Sequence, residues 1–257
     1  MEFLGLEEQA VRELWRPFIG WIESTPEIVA LKPDVIASAP ARSRWDPELF
    51  RSRLPGSIQQ DDRQGAPRDN IFWTANLAEA GHFITGFESL WLSASLLQGE
   101  DRPRLAEALF RASRLWSVEL HFQKGLAGGS SEALAATKDT PMNPAVLDAF
   151  CLAIIAGESG PAFPGLKGHE PDVDRARSDA RSIEAAMRAL KTVVAETGAY
   201  VAESSYFQSK WQSAYWGDHY PRLLDTKKRY DSTGLFFVHH GVGSESWSAD
   251  GFTRLAT

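Results

Sequence analysis

The 257-residue chain is poor in cysteine, in basic clusters and in long apolar runs, and each shortage closes off a class of protein. The single cysteine, Cys151, cannot form an intrachain disulfide or supply a cysteine-rich zinc site, and a reducing compartment, the cytoplasm, is the simpler expectation. Lys and Arg number 27 against 34 Asp and Glu, a net charge of −7, and no basic run occurs. That balance speaks against a nucleic-acid or anionic-membrane surface, because affinity for phosphates comes from clustered cations. No stretch approaches the roughly 20 apolar residues of a membrane span. The N-terminus, from Met1 to Glu8, has neither the basic region nor the apolar run of a secretory leader, so none is expected. Glycine-rich phosphate loops are missing, as is the G-x-S-x-G elbow of serine hydrolases, which leaves no familiar nucleotide cradle and no motif for a catalytic triad.

What is present is an ordinary globular composition, 43% hydrophobic and 24% charged, with nine tryptophans as its one excess. Leu6, Ala10, Leu14, Phe18 and Trp21 recur at three- and four-residue steps and predict a helix from Leu6 to Ile22 with one stripe against a core. The β-branched stretch Ile28 to Ala39, interrupted by Lys32-Pro33-Asp34, predicts a strand pair or a bent edge strand. Pro55 to Asn70 reads as a surface loop, followed by a short strand to Trp73. Leu77 to Leu97 fits a helix weakened by Gly81 and Gly86 and broken near Trp91. Asp101-Arg102-Pro103 opens a cleaner helix with Leu105, Leu109, Ala112 and Leu115 on one face.

Ser117 to Gln123 alternates strictly, so a half-buried strand should turn Val118, Leu120 and Phe122 one way and Glu119, His121 and Gln123 the other. Phe150 to Ala156 is an apolar run of strand length. A helix with Asp172 as its N-cap should run from Val173 through Val194 toward Gly198, and Tyr200 to Ala202 should resume as a strand. Intermixed helices and one-faced strands predict an α+β fold, a largely antiparallel sheet with helices packed on one face, followed by an extended C-terminal segment.

The last sixty residues concentrate aromatic and polar side chains, which could line a flat ligand or simply pack on the domain. His239-His240 on an extended segment would point to opposite faces without a carboxylate at helical spacing, so no metal site is expected. Cys151, inside an apolar run, reads as inert core. His121 and Glu119 share a polar strand face, where an acid or base can be mounted, although a solvated face is the commoner explanation of such a pair.

Several elements then stand in order: Gly198-Ala-Tyr-Val-Ala-Glu-Ser-Ser-Tyr-Phe207, Trp211-Gln212, Tyr215-Trp-Gly-Asp-His-Tyr-Pro-Arg-Leu-Leu224 and Lys227-Lys-Arg-Tyr-Asp-Ser-Thr-Gly-Leu-Phe-Phe237. This arrangement resembles the C-terminal segment of berberine-bridge-enzyme-like flavoproteins of the vanillyl-alcohol-oxidase superfamily. Asn70 to Trp73, Leu77 to Gly81, His121 to Ala127 and Asn143 to Phe150 are similar to the substrate domain of the same group. The resemblance implies a substrate-binding α+β domain over residues 1–197 and a berberine-bridge-like segment over 198–257. It further implies that FAD is held mainly by a domain or separate polypeptide with no counterpart in this chain. The expected activity is hydride transfer from a small alcohol, amine or related C–H donor to flavin, absent from the chain by itself; the rival is a non-catalytic binding domain derived from such an enzyme.

Carried over residue by residue, the resemblance expects Trp216, His219, Tyr220 and Arg222 near the flavin, His219 standing where relatives have Asn. Ser232 replaces a turn proline. Tyr200 and Glu203 are the candidates for proton abstraction and orientation, with His121 and Lys124 on the neighbouring strand.

Overall fold

A computed structural model of the chain describes residues 5–25, 43, 46–122, 128–194 and 198–256. The strand pair expected at 28–39 and the candidate Lys124 lie outside the described residues. The chain divides into two compact units, Met1–Leu77 and Ala78–Thr257.

The first unit opens with helix α1 (Glu8–Glu23), where the periodicity placed it. Its stripe, however, is not sealed against a core: Leu14 is 61% and Trp21 59% exposed. The rings instead pack along the helix, Trp15 on Phe18 at 5.4 Å and Phe18 on Trp21 at 5.9 Å. Helix α2 (Pro47–Arg53) starts at an Asp46 cap whose carboxylate accepts from the Glu48 amide. The stretch expected as loop contains strand β1 (Ile58–Gln60), which pairs antiparallel with β2 (Ile71–Trp73). With one apolar residue, β1 has no alternation to announce it; the pairing comes from the turn, where Asp61 binds Arg63 and Asn70.

The second unit is built on a three-stranded antiparallel sheet in the order β3 (Phe83–Ser93), β5 (Ala149–Ser159), β4 (Glu119–Phe122). Strand β3 replaces the helix expected over Leu77 to Leu97. Leu90 and Leu92 enter one core while Phe87 and Trp91 enter another, so both faces are apolar and the period of two that marks a strand is blurred. The glycine that seemed to weaken a helix has a packing role: Gly86 and Gly157 are paired across β3 and β5, and a Cβ on either would lie 3.0 Å from the Ile183 side chain. Glycine lets a helix approach the sheet there.

That helix is α6 (Val173–Lys191), capped by Asp172, which accepts from the Arg175 amide. It ends seven residues before Gly198, earlier than its apolar period suggested, although Val194 remains in the core. With α3 (Asp101–Ser113) it buries Leu105, Ala108, Ala112, Ile183, Met187 and Leu190 against Leu90, Leu92, Ala153 and Ile155. Each large side chain sealed in this way contributes about 1.5–3 kcal/mol. The opposite sheet face carries Trp91, Leu152 and Ile154, with helix α5 (Ala145–Asp148) packed on it. The short helix α4 (Ser131–Thr137) lies between β4 and α5 in the chain. The C-terminal segment contains helices α7 (Trp211–Trp216) and α8 (Tyr220–Tyr230). Tyr200 to Ala202 is a turn rather than a strand, closed by the Glu203 amide donating to the Tyr200 carbonyl at 3.0 Å.

Candidate functional site

The site grows from strand register. Trp91, Leu152 and His121 are directly paired across the sheet, and so are Ser89, Ile154 and Glu119 in the next row. Residues opposite one another share a face, so Glu119 and His121 extend the face opposite α3 and α6 that begins at Trp91. With strands about 4.8 Å apart, the His121 backbone stands about 10 Å from that of Trp91. The Glu119 carboxylate lies 2.6 Å from His121 Nε2. At the other edge the Gly198 carbonyl accepts from the Trp91 amide, and the Tyr200 amide donates to Ser89 Oγ at 3.2 Å. These bonds bring the Tyr200 ring to 6.3 Å from Trp91.

One buried amide fastens the segment. Asn143 Nδ2 donates to the carbonyls of Ser213 and Ala214 at 3.0 and 2.8 Å, and its Oδ1 accepts from the Ala145 amide at 3.0 Å. Gly198, at φ 98°, passes so close that a Cβ would meet Asn143 Nδ2 at 2.3 Å. The result is a cavity of about 130 Å³ on the face opposite α3 and α6, walled by Trp91, Tyr200 and Trp216 among others. Tyr215, also in its wall, exchanges hydrogen bonds with Ser204 Oγ (2.8 Å) and the Ser205 carbonyl (3.3 Å), and burial raises its pKa. Behind it, Glu88 lies 3.7 Å from Lys191, and burial holds its carboxyl above the ordinary carboxylate range.

Of the residues singled out in the sequence, Tyr200 and Trp216 meet at this cavity, Glu203 stands one turn beyond it, and His121 is across the sheet. The Tyr220 hydroxyl donates to the Glu245 carboxylate at 2.7 Å and accepts from the Gly243 amide at 3.1 Å, and burial with that carboxylate raises its pKa. Arg222 is ion-paired with Asp139 in an exposed position. His219 Nδ1 is buried with no partner among the described residues.

The sequence placed Asn143 at the head of a stretch resembling the substrate domain but gave no sign of its fastening role, and it misled on the histidine pair. His240 adopts φ 56°, and this left-handed turn stacks its ring on His239 at 3.8 Å instead of sending the two to opposite faces. The stack continues to Tyr206 at 4.0 Å on one side and Trp211 at 5.4 Å on the other. Burial, with His239 beside it, lowers the His240 pKa. No group of three metal-ligating side chains occurs among the described residues. Lys227 binds Asp231 and the Phe236 carbonyl, while Asp231 accepts from the amides of Leu235 and Phe236, so this motif pair closes a turn. Cys151 is fully buried and its thiol is pushed up to about 12 by burial. No helix among the described residues is long and apolar enough to cross a membrane.

Residues 199–243 match the family described as berberine and berberine like, so the stretch that roofs the cavity is similar to the berberine-type segment of that family. Its relatives are FAD-linked oxidoreductases. A protein of Arthroderma benhamiae named uncharacterized FAD-linked oxidoreductase is 43% identical over 65 residues, covering 25% of this chain and 11% of that protein. The FAD-linked oxidoreductase ZEB1 of Gibberella zeae is 44% identical over 62 residues, 24% of this chain and 11% of its own. The VAO-type flavoprotein oxidase VAO615 of Thermothelomyces thermophilus is 43% identical over 56 residues, 22% and 10%. The matches thus span about a tenth of these relatives' length. In fold, the chain is similar to the crystal structure of the VAO-type flavoprotein MtVAO615 from Myceliophthora thermophila, with a TM-score of 0.57 and 23% identity over 96% of this chain and 39% of that one.

Proposed function

We propose that this chain forms the substrate-binding and C-terminal portion of an FAD-linked oxidoreductase, one that oxidises a small alcohol, amine or related C–H donor and works only with an FAD-binding portion supplied in addition. The observation that carries this reading is the set of large apolar side chains left bare in the C-terminal part of the chain, residues 198–256. Phe207 is 84%, Phe236 73% and Phe252 89% exposed, and Tyr206, Leu235 and Val238 are also largely bare. Large apolar side chains bared in this number along one stretch of chain are what a partner surface would cover.

Two of the four expected flavin neighbours suit the cofactor. Trp216 offers an aromatic wall to the cavity, and His219 Nδ1, without a partner among the described residues, has one hydrogen bond to give or take. Tyr220, engaged with Glu245 and with its ring 5.7 Å from that of Trp216, would brace Trp216, and Arg222 is held by Asp139. Bound flavin would supply the hydride acceptor. The chain's own contribution is positional and electrostatic: the aromatic walls exclude water, the Tyr200 hydroxyl orients the substrate heteroatom, and Glu203, or the Glu119–His121 pair, takes its proton. The lone inert cysteine suits a reducing compartment such as the cytoplasm.

The test is the visible spectrum of the purified chain, alone and co-expressed with a flavin-binding portion of a relative. A chain that is colourless alone and acquires flavin bands near roughly 370 and 450 nm in the complex is the expected result. Flavin in the isolated chain would overturn the division of labour, and a colourless complex would favour a non-catalytic binding domain.

A further inference from the structure

The cavity on the face opposite α3 and α6 has a chemistry of its own, and it narrows the substrate class of the site proposed above, on which it rests. Its walls include Trp91, Met142, Tyr200, Val201, Tyr215 and Trp216, and none of the described residues lining it carries a charge. The polar groups that reach it are mostly spent. Both Asn143 donors and one of its acceptor positions are used within the fold, and the Tyr215 hydroxyl is held by Ser204 and Ser205. Two wall groups, the Tyr200 hydroxyl and the Trp216 indole N–H, have no hydrogen-bond partner among the described residues, and of the two only the hydroxyl can both donate and accept. Size sets a second limit. A cavity of about 130 Å³ is close to the roughly 150 Å³ at which an apolar protein cavity takes up benzene.

From these walls we infer that the cavity binds a neutral, single-ring, flat substrate, held face-on by aromatic side chains and oriented by one hydrogen bond to the Tyr200 hydroxyl. A sugar would leave several hydroxyls without partners, and a carboxylate would be buried beside no cation, each at a cost the cavity has no group to offset. A fused polycycle would exceed the volume.

The test is a titration of the full-length chain without flavin, by ligand-observed NMR and calorimetry, using benzyl alcohol, benzoate and glucose. Benzyl alcohol should bind saturably with a Kd on the order of 1 mM, as expected of so few atoms, with benzoate at least tenfold weaker and glucose silent. Val201→Trp changes a residue that is 47% exposed at the mouth; it should weaken benzyl alcohol at least tenfold with an unchanged melting temperature. Tyr200→Phe should weaken it about threefold, the loss of one hydrogen bond of modest net strength. No saturable binding of benzyl alcohol, benzoate or glucose binding as tightly, or indifference to Val201→Trp would each overturn the inference. Failure here leaves the flavin spectrum untouched, whereas a colourless complex that still binds benzyl alcohol would spare the pocket and sink the flavoenzyme reading.

Discussion

The two faces of one sheet teach more than either does alone. Strands β3 and β5 send Leu90, Leu92, Ala153 and Ile155 to one side and Trp91, Leu152 and Ile154 to the other, and all seven are buried. On the first side helices α3 and α6 cover these residues completely, although Phe122 at the β4 edge stays exposed. On the second, a short helix and a turn of the berberine-type segment cover only part of it, leaving a cavity at one edge and the Glu119–His121 pair in the open at the other. The same alternation therefore produces a sealed layer that sets stability and a half-roofed layer that has room for chemistry.

The largest effect should come from breaking the sealed side. Ile155→Ala, at a fully buried position, should cost about 2–5 kcal/mol of unfolding free energy in a denaturant titration, through lost burial and the cavity left behind. A cost under about 1 kcal/mol would mean that this face is less closed than described. Next is the fastening of the roof: Asn143→Leu leaves two carbonyls and one amide without their partner, an expected loss of about 3 kcal/mol. Tryptophan fluorescence should change with it, because Trp211 and Trp216 sit on the segment that Asn143 holds. On the open side, His121→Gln should stay within about 0.5 kcal/mol of the parent in stability, yet lower turnover of the assembled flavoenzyme about 100-fold if His121 is the base. Unchanged turnover would shift that role to Glu203.

The smallest effect is a pH dependence. The His240 pKa is lowered in the fold, so the unfolded chain takes up a proton first as pH falls. Stability from this group is complete above the unfolded value of about 6.5 and declines below it. Asp231, held below the ordinary carboxylate range by Lys227, acts with the same sign nearer pH 4. His240→Gln should flatten the fall of melting temperature between pH 7 and pH 5.5 without altering the part at lower pH; an unchanged slope would refute the assignment.

These two faces were unequally legible in the sequence. Helix α6 could be read directly, because its cap, its period and its buried stripe all arise within one segment, and β4 and β5 were likewise visible from alternation and from an apolar run. Strand β3 was not, since burial on both sides erases the pattern by which a strand is known. The Gly198 to Phe237 motifs were legible as a resemblance, and the comparisons bear out that reading for residues 199–243. Their physical meaning was not, because the cavity joins Trp91, Met142 and Tyr200, residues separated by scores of positions along the chain. The His239–His240 stack depends on one left-handed residue, which composition cannot foretell.

Asn143 also has a consequence in time. Its three bonds couple the start of α5 to the carbonyls of α7, so the rim of the cavity cannot loosen at one point without releasing the others. The Ala145 amide, although it lies at the first turn of a four-residue helix where exchange with solvent would ordinarily be fast, should therefore exchange its hydrogen as slowly as the strands beneath it, making that single proton a clock for how often the pocket opens.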